Sequence, residues 1–313
     1  MGLSDATPAT LRLLRLSWES IPVERRRSIV HRLVAIAEDN VEADFRAVLR
    51  SLLKDGDPEV RATALDGLWE DESSSLADEL VELLRSDPSF HVRAAAAAAL
   101  EPFVLRSVLG ELKGDRPAII RGALLAALNR ADEDLEVRCS ALKAVAYWED
   151  EEVRRRIAEA YADPDPHMRA SAVCAMGSNL DTVWRKGILL ELSSPEPELR
   201  FEAARAAGAM GLTEAVSDLI ELSQEADVDI RLAAIEALGE IGGPAAKRAL
   251  MRLRQSESDA TREAAENALD ELLFLEDPLA VPPGGIAAEP RGKAKKGLRT
   301  DNEKSGRHVA GVP

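Results

Sequence analysis

Asp227–Gly239 reads D-V-D-I-R-L-A-A-I-E-A-L-G, and the pattern of this stretch returns along most of the chain. Its arginine, Arg231, serves as a marker for the other copies. Successive marker arginines are separated by 32, 45, 31, 31, 31 and 31 residues. A period near 31 residues, sustained over several units, predicts a solenoid of stacked repeats and not one compact core. The markers are Arg61, Arg93, Arg138, Arg169, Arg200, Arg231 and Arg262.

Apolar residues stand at fixed distances from the marker arginines. In most units an apolar residue comes directly before the marker, and another comes seven residues after it. Together with an alanine three residues after the marker, these positions lie on one face of a helix. The constant alanine predicts a close neighbouring backbone, because a larger side chain would overpack that point. The alanines are Ala64, Ala96, Ala141, Ala172, Ala203, Ala234 and Ala265.

The ends of this first helix also carry signals. Asp57-Pro58, Asp165-Pro166 and Glu196-Pro197 place a capping residue before a proline of the first turn. Gly177, Gly208 and Gly239 fall where the helix is expected to end in a left-handed conformation. A second amphipathic segment follows in each unit, which predicts repeated helix–turn–helix pairs. The second helices are expected at Val41–Leu53, Leu76–Arg85, Pro117–Asn129, Val153–Tyr161, Trp184–Leu192, Ala215–Leu222 and Ala245–Leu253.

The repeated wording D-P-x-V-R-x-x-A-x-x-A-L-G, as in Asp57–Arg61 and Ile230–Ala234, resembles the HEAT repeats of the phycobilisome-lyase-like class. The resemblance covers roughly residues 20–275. It implies an all-α fold, an α-solenoid of about eight stacked antiparallel helix pairs wound as a right-handed superhelix. It says little about function, because that repeat occurs in lyases, in hydroxylases and in pure scaffolds.

The chain divides into three parts on this basis. Residues 1–20 are expected to form an N-terminal capping helix, and residues 21–275 the HEAT-like solenoid. Residues 276–313, rich in proline, glycine and lysine, are expected to be disordered because they hold few large apolar side chains. The longer step after Arg93 reflects an insertion near residues 101–116, with a short extra helix between Glu101 and Leu112. Such an insertion is either a binding element or a local bend of the stack.

The composition restricts the possible partners. The net charge is −16, and the tail carries five acids and seven bases, so the rest of the chain has a net charge of −18. An acidic body repels phosphate backbones and anionic lipid, so nucleic acid is an unfavoured partner. No apolar run reaches the roughly 18 residues of a membrane span, and no signal peptide is evident, which favours a cytoplasmic protein. Cys139 and Cys174 are interpreted as buried free thiols and not as a disulfide or a metal pair.

Signals for catalysis are few. The four histidines form no His-Glu dipeptide, and C-x-x-C, H-E-x-x-H and glycine-rich phosphate loops do not occur. The HEAT-repeat hydroxylases that modify a lysine derivative bind two irons through repeated His-Glu pairs, so the resemblance does not extend to that activity. We therefore predict no catalytic residue, no metal ligand and no cofactor.

Three sets of side chains are candidates for binding. The marker arginines suggest an anion-binding ladder, although pairing with acids or carbonyls of their own or the next repeat explains them better. Trp69 and Trp148 lie near the ends of first helices, where they either anchor a partner or fill repeat junctions. Trp184 has the spacing of a core residue.

The third set is a basic island within the acidic body, on the second helices that are expected to line the concave face. The island suggests a protein partner with an acidic or mixed-charge surface, although charge runs are often only solvated faces. Its members are Arg154, Arg155, Arg156, Arg185 and Lys186.

The leading functional hypothesis is a non-catalytic scaffold or adaptor that binds a protein on the concave face. The alternative is a phycobilisome-lyase-like, bilin-related enzyme or chaperone, which would need a tetrapyrrole-sized pocket near Arg154–Arg156. A HEAT-like nucleic-acid-binding protein is a third hypothesis, and the acidic body disfavours it.

Overall fold

The computed structural model describes residues 3–40 and 42–276, and the regular structure in this part of the chain is helical. Two short 3-10 turns, Thr182–Trp184 and Thr213–Ala215, precede α12 and α14. The α-helices are α1 (Pro8–Trp18), α2 (Val23–Asp39), α3 (Arg46–Leu52), α4 (Pro58–Asp66), α5 (Ser74–Ser86), α6 (Phe90–Ala99), α7 (Glu101–Val108), α8 (Arg116–Asn129), α9 (Leu135–Val145), α10 (Glu151–Tyr161), α11 (Pro166–Asn179), α12 (Arg185–Glu191), α13 (Pro197–Ala209), α14 (Val216–Leu222), α15 (Val228–Ile241), α16 (Gly243–Leu253) and α17 (Asp259–Glu276).

These helices form the repeated pairs that the sequence predicts. In chain order the pairs are α2–α3, α4–α5, α6–α8 with α7 inserted, α9–α10, α11–α12, α13–α14 and α15–α16, and α17 opens a further unit. The predicted all-α solenoid is confirmed. The division into residues 1–20, 21–275 and 276–313 stays a prediction, and residues 277–313 of the expected tail lie outside the described residues.

The first helices begin where the capping signals place them. Asp57 precedes α4, and its carboxylate accepts a hydrogen bond from the backbone N–H of Val60 at 3.1 Å. Asp165 and Asp227 cap α11 and α15 in the same way. Each such cap contributes about 1 kcal/mol to helix stability. Glu196 precedes α13 without a side-chain cap, so the proline alone carries that signal.

The first helices of successive repeats pack against each other far more extensively than the second helices do. This row runs α2, α4, α6, α9, α11, α13, α15 and α17, and the constant alanines within it are fully buried. The close packing of this row follows from its small side chains. That the second helices line the concave face stays a prediction.

Gly177, Gly208 and Gly239 do not end helices, and that interpretation was wrong. All three lie inside first helices with ordinary helical backbone. A Cβ at Gly177 would lie 2.8 Å from the Cα of Ala206 in the next first helix, and the other two glycines face the next helix at a similar distance. These glycines permit the close approach of neighbouring helices, because any side chain would strike backbone.

The left-handed helix ends come three residues later. Leu180, Gly211 and Gly242 have φ angles of 60°, 61° and 68°. At each of the three positions, the backbone N–H of this residue or of the next one donates to a carbonyl oxygen of the last helical turn. This hydrogen bond closes the helix. Leucine in this conformation costs roughly 1–2 kcal/mol, a strain that glycine avoids.

We predict that Gly177→Ala destabilises the protein by about 1–3 kcal/mol, because the new methyl group collides with the backbone of Ala206. The matched control is Gly122→Ala in the middle of α8, where a Cβ meets nothing within 4 Å. There the higher helix propensity of alanine should stabilise by up to about 1 kcal/mol. Urea denaturation followed by circular dichroism measures both. Equal midpoint shifts of the same sign would contradict the close-approach explanation.

Candidate functional site

Four of the seven marker arginines, Arg61, Arg93, Arg200 and Arg231, tie successive repeats together. The Nε and Nη2 of Arg61 donate to the carboxylate of Asp87 in the next repeat at 2.9 and 2.8 Å. Its Nη1 donates to the backbone oxygen of Asp55 in its own repeat at 2.7 Å. Arg61 and Asp87 are both buried. Carboxylate pairs of the same kind join Arg26 to Asp55, Arg93 to Glu133 and Arg200 to Glu225.

One residue therefore serves two repeats at once. The carboxylate of Asp55 accepts hydrogen bonds from Arg26 and from the indole Nε1 of Trp18, whereas its backbone oxygen binds Arg61. Between α15 and α17 a hydroxyl replaces the acid, and Arg231 donates to the Oγ1 of Thr261 at 3.1 Å. These guanidinium groups are occupied within the protein, which supports their structural interpretation over an anion-binding ladder.

We predict that Arg61→Ala destabilises the protein by about 3 kcal/mol or more, because Asp87 is left as a buried, unpaired carboxylate. Arg185→Ala is the control, since the pair between Arg185 and Glu214 is about half exposed on both sides. Removing that pair should change stability by less than about 1 kcal/mol. Thermal or urea unfolding compares the two variants. A loss at Arg61 no larger than that at Arg185 would refute the structural role of the ladder.

The basic island is mostly neutralised by neighbouring acids. Arg155 and Arg156 both pair with Glu159 of their own helix, at 3.1 and 3.0 Å. Arg154 reaches Asp181 at 2.8 Å, and Arg185 reaches Glu214 at 2.7 Å. Lys186 is exposed, and it has no carboxylate partner in the described part of the chain.

The island belongs to a second set of ion pairs between repeats. In each case an arginine on a second helix pairs with an acid at or near the start of the next second helix. The pairs are Arg121 with Asp150, Arg154 with Asp181, and Arg185 with Glu214. The repeated ion pairs account for the arginines that recur on the second helices, so these arginines do not require a partner protein. The predicted role of the island in recognition stays a prediction.

The tryptophans occupy three different environments. Trp184 is 9% exposed, and its Nε1 donates to the Oδ1 of Asn179 at 2.8 Å, which confirms its assignment to the core. Trp148 is half-buried, and its backbone oxygen accepts from the side chain of Asn179. Trp69 is 57% exposed. Trp69 is therefore the better anchor for a partner.

The insertion is a helix whose outer face is apolar. On α7, Phe103 and Val104 are buried, whereas Leu105, Val108 and Leu109 are 42%, 46% and 63% exposed. The spacing of the exposed three places them on one side of the helix.

Arg106 fixes α7 beside the turn that carries Trp69. Its Nη1 donates to the backbone oxygen of Glu72 at 2.7 Å, three residues beyond the tryptophan. We call Trp69, Leu105, Val108 and Leu109 the α7 patch. Its border is acidic, with exposed carboxylates at Glu70, Glu72 and Glu111. The sequence locates the insertion, but the orientation of its apolar face depends on this long-range hydrogen bond.

A polar cluster on the first helices also escaped the sequence analysis. Burial raises the pKa of Glu202, although Arg205 lies 3.4 Å away. The Cys174 thiol hydrogen-bonds this carboxylate, and burial raises the pKa of Cys174 to about 12. Tyr147 donates to Glu101 at 2.7 Å, and burial raises the pKa of its hydroxyl as well. The protonated thiol and phenol are poor nucleophiles at neutral pH, so this cluster holds helices together and offers no activated group.

The two cysteines are free, as expected. Cys139 is buried and Cys174 is half-buried. Among the described residues, no group of three or more histidine, cysteine or acidic side chains is placed to hold a metal ion. None of the described helices is both long and apolar enough to cross a bilayer.

We predict that both thiols resist alkylation in the folded protein. Burial raises the pKa of Cys139 and of Cys174, so at pH 8 the thiolate is far scarcer than in the unfolded chain. Labelling of Cys174 with iodoacetamide should be at least about 100-fold slower in buffer than in urea, and labelling of Cys139 should also be slower, both measured by mass spectrometry. Rapid labelling of Cys174 in the folded protein would show that its thiolate is accessible and stabilised.

The architecture and the two sets of ion pairs between repeats define an α-solenoid repeat protein. The chain belongs to the HEAT-repeat family, whose repeats match residues 46–118 and 186–270, half of the chain in total. This agrees with the resemblance to HEAT repeats of the phycobilisome-lyase-like class. A search of curated proteins found no match.

Several solved structures are similar to this chain. Human deoxyhypusine hydroxylase, in complex with glycerol, is 18% identical with a TM-score of 0.38, over 81% of this chain and 92% of the hydroxylase. Kap95p, in a study of its binding to RanGDP, is 16% identical with a TM-score of 0.46, over 75% of this chain and 37% of Kap95p. An engineered protein is 22% identical with a TM-score of 0.38, over 84% of this chain and 78% of that one. These similarities concern the fold alone.

Proposed function

We propose that this protein is a non-catalytic scaffold that binds a protein partner through the α7 patch. The observation that carries the proposal is the set of three large apolar side chains exposed on one side of the insertion, where the repeat period is interrupted. The hydrogen bond from Arg106 to Glu72 holds this insertion against the turn that carries the exposed Trp69. Large exposed apolar groups are costly in water unless something covers them. An insertion in a regular solenoid is also where binding elements commonly arise.

The chemistry of the α7 patch defines the partner. Its centre is apolar, and Trp69 supplies an aromatic side chain of the type that dominates binding energies at interfaces. Glu72 and Glu111 at its border already pair with Arg106, at 3.6 and 3.1 Å. The exposed Glu70 favours lysine or arginine at the edge of the partner. The proposed partner surface is therefore of mixed character, an apolar segment flanked by basic residues.

The α7 patch is a better candidate than the basic island. Four of the five cations of the island already have carboxylates of this protein within 3.1 Å. A partner would have to break those pairs before it could form its own, so little net binding energy remains. No comparable internal contact competes for the apolar faces of Leu105 and Leu109, which are exposed.

The lyase-like alternative requires a tetrapyrrole-sized pocket beside Arg154–Arg156. The groove of about 360 Å³ in the described part of the chain lies instead between α14 and α16, lined by Ile220, Arg248 and Met251 among others. No observation favours the enzyme over the scaffold.

The test compares two double variants of the full chain as bait in lysate of the source cells. Trp69→Ala/Leu109→Glu removes the proposed anchors and adds one charge. Val183→Ala/Leu190→Glu is the matched control, because Val183 and Leu190 are 62% and 69% exposed on another repeat. Circular dichroism checks that both variants remain helical.

We expect a partner that wild type and control capture and that the Trp69/Leu109 variant loses. With the partner purified, calorimetry should show binding at least about tenfold weaker for that variant, equivalent to about 1.4 kcal/mol. A partner that binds all three proteins equally would exclude the α7 patch. Absence of any partner of wild type, together with a measured enzymatic activity, would overturn the scaffold proposal.

A further inference from the structure

A shallow groove runs between two neighbouring second helices near the C-terminal end of the solenoid. It has a volume of about 360 Å³ and is lined by Ile220 of α14 and by four residues of α16, Ala245, Arg248, Met251 and Arg252. Its walls thus combine apolar groups with two guanidinium groups. The groove lies several repeats away from the α7 patch, in a different chemical setting.

Helix α16 has a buried face and an exposed face, and the exposed face forms one wall of the groove. Leu250 and Leu253 are buried against the rest of the protein, together with Ala246 and Ala249. Arg248, Met251 and Arg252 follow at helical spacings of three and four residues and are exposed. Side chains so spaced lie above one another on the helix surface, with Cβ atoms about 5–6 Å apart.

Arg248 and Arg252 differ from the arginines of the two sets of ion pairs. Neither has a carboxylate within ion-pair distance in the described residues, in contrast to Arg61, Arg154 and Arg185. Helix α16 carries three bases and no acid. On a body whose net charge is strongly negative, these two arginines form an uncompensated positive site beside an apolar floor.

We propose that the α14–α16 groove binds an acidic amphipathic segment of a protein partner. Two carboxylates of the segment, spaced by one helical turn, pair with Arg248 and Arg252, and guanidinium forks bind carboxylates through two parallel hydrogen bonds. An apolar side chain of the segment packs on Ile220, Ala245 and Met251. Methionine suits such a floor, because its flexible thioether adapts to different side chains.

This inference goes beyond the scaffold function proposed for the α7 patch and does not depend on that patch. Both surfaces have an apolar centre, but the α7 patch favours basic residues on its partner, whereas the α14–α16 groove favours acidic residues. A protein with both surfaces is able to hold two different partners on one rigid stack. An acidic protein segment fits the groove better than nucleic acid does, because two arginines on an acidic body offer too little charge to hold a phosphate backbone.

The test uses the full chain and a fluorescein-labelled helical peptide of about 16 residues, a length at which alanine-based helices begin to form. The peptide carries two glutamates four residues apart and two leucines on the same face. Its control peptide has glutamine in place of both glutamates. Fluorescence anisotropy measures binding at low salt, where exposed ion pairs are least screened.

The decisive variant is Arg248→Glu/Arg252→Glu. Its matched control is Arg12→Glu/Arg15→Glu on α1, because those arginines are also exposed and form no ion pair among the described residues. We expect the wild type and the α1 control to bind the glutamate peptide equally. The groove variant should bind at least about tenfold more weakly, and the glutamine peptide should lose binding to the same degree. A peptide with lysines in place of the glutamates should bind the groove variant better than wild type.

Trp69→Ala/Leu109→Glu should leave peptide binding unchanged, which separates failure at the groove from failure at the α7 patch. The proposal is overturned by no binding to wild type at about 1 mM protein, by equal losses in the groove and α1 variants, or by equal binding of both peptides. Tighter binding of a single-stranded oligonucleotide at the same arginines would also overturn it and would assign the groove to nucleic acid.

Discussion

The structure depends on the contact between successive first helices. Every repeat leaves an apolar face that it cannot bury alone, and the next first helix covers it. Alanine and glycine at the contact bring the helix backbones together, as at Gly177 and Ala206. The second helices pack less extensively on each other, and each lies mainly against the first helix of the next repeat, as α8 does against α9. The tight row sets the geometry of the stack, and the looser row leaves space such as the groove beside α16.

Ion pairs between charged side chains also stabilise the stacking of the repeats. Arg61 and Asp87, and Arg154 with Asp181, each join one repeat to the next. A large share of the charged side chains is therefore engaged in holding neighbours, which lowers the value of charge alone as a sign of a binding site. The surfaces that stand out are the ones that this pattern does not use, the apolar face of α7 and the unpaired arginines of α16. Function is more visible in such departures from the repeat than in the repeat itself.

Much of the fold was predictable because its causes are local. The cap at Asp57, the proline after it and the alanine column lie within one turn or one helix of each other, so periodicity reveals them. The role of Gly177 was not predictable, because a glycine near a helix end suits both a left-handed turn and a close approach, and only the next repeat decides between them. The pairing of Arg154 and the tether of Arg106 to Glu72 likewise depend on residues 27 and 34 positions away. The candidate surfaces were the least predictable part, since exposure is a property of the assembled stack.

The glycine contacts also bear on how a protein of this kind changes in length. Gly177, Gly208 and Gly239 meet Ala206, Ala237 and Ala268, so three successive junctions present the same shapes to each other. The first junction is built differently, because Val34 fills the space over Gly67. The units joined by these three junctions are therefore interchangeable, and a gene duplication of one period there inserts a unit that already fits both neighbours. A unit of this later kind placed after the first repeat would set its alanine against Val34 and break the fit.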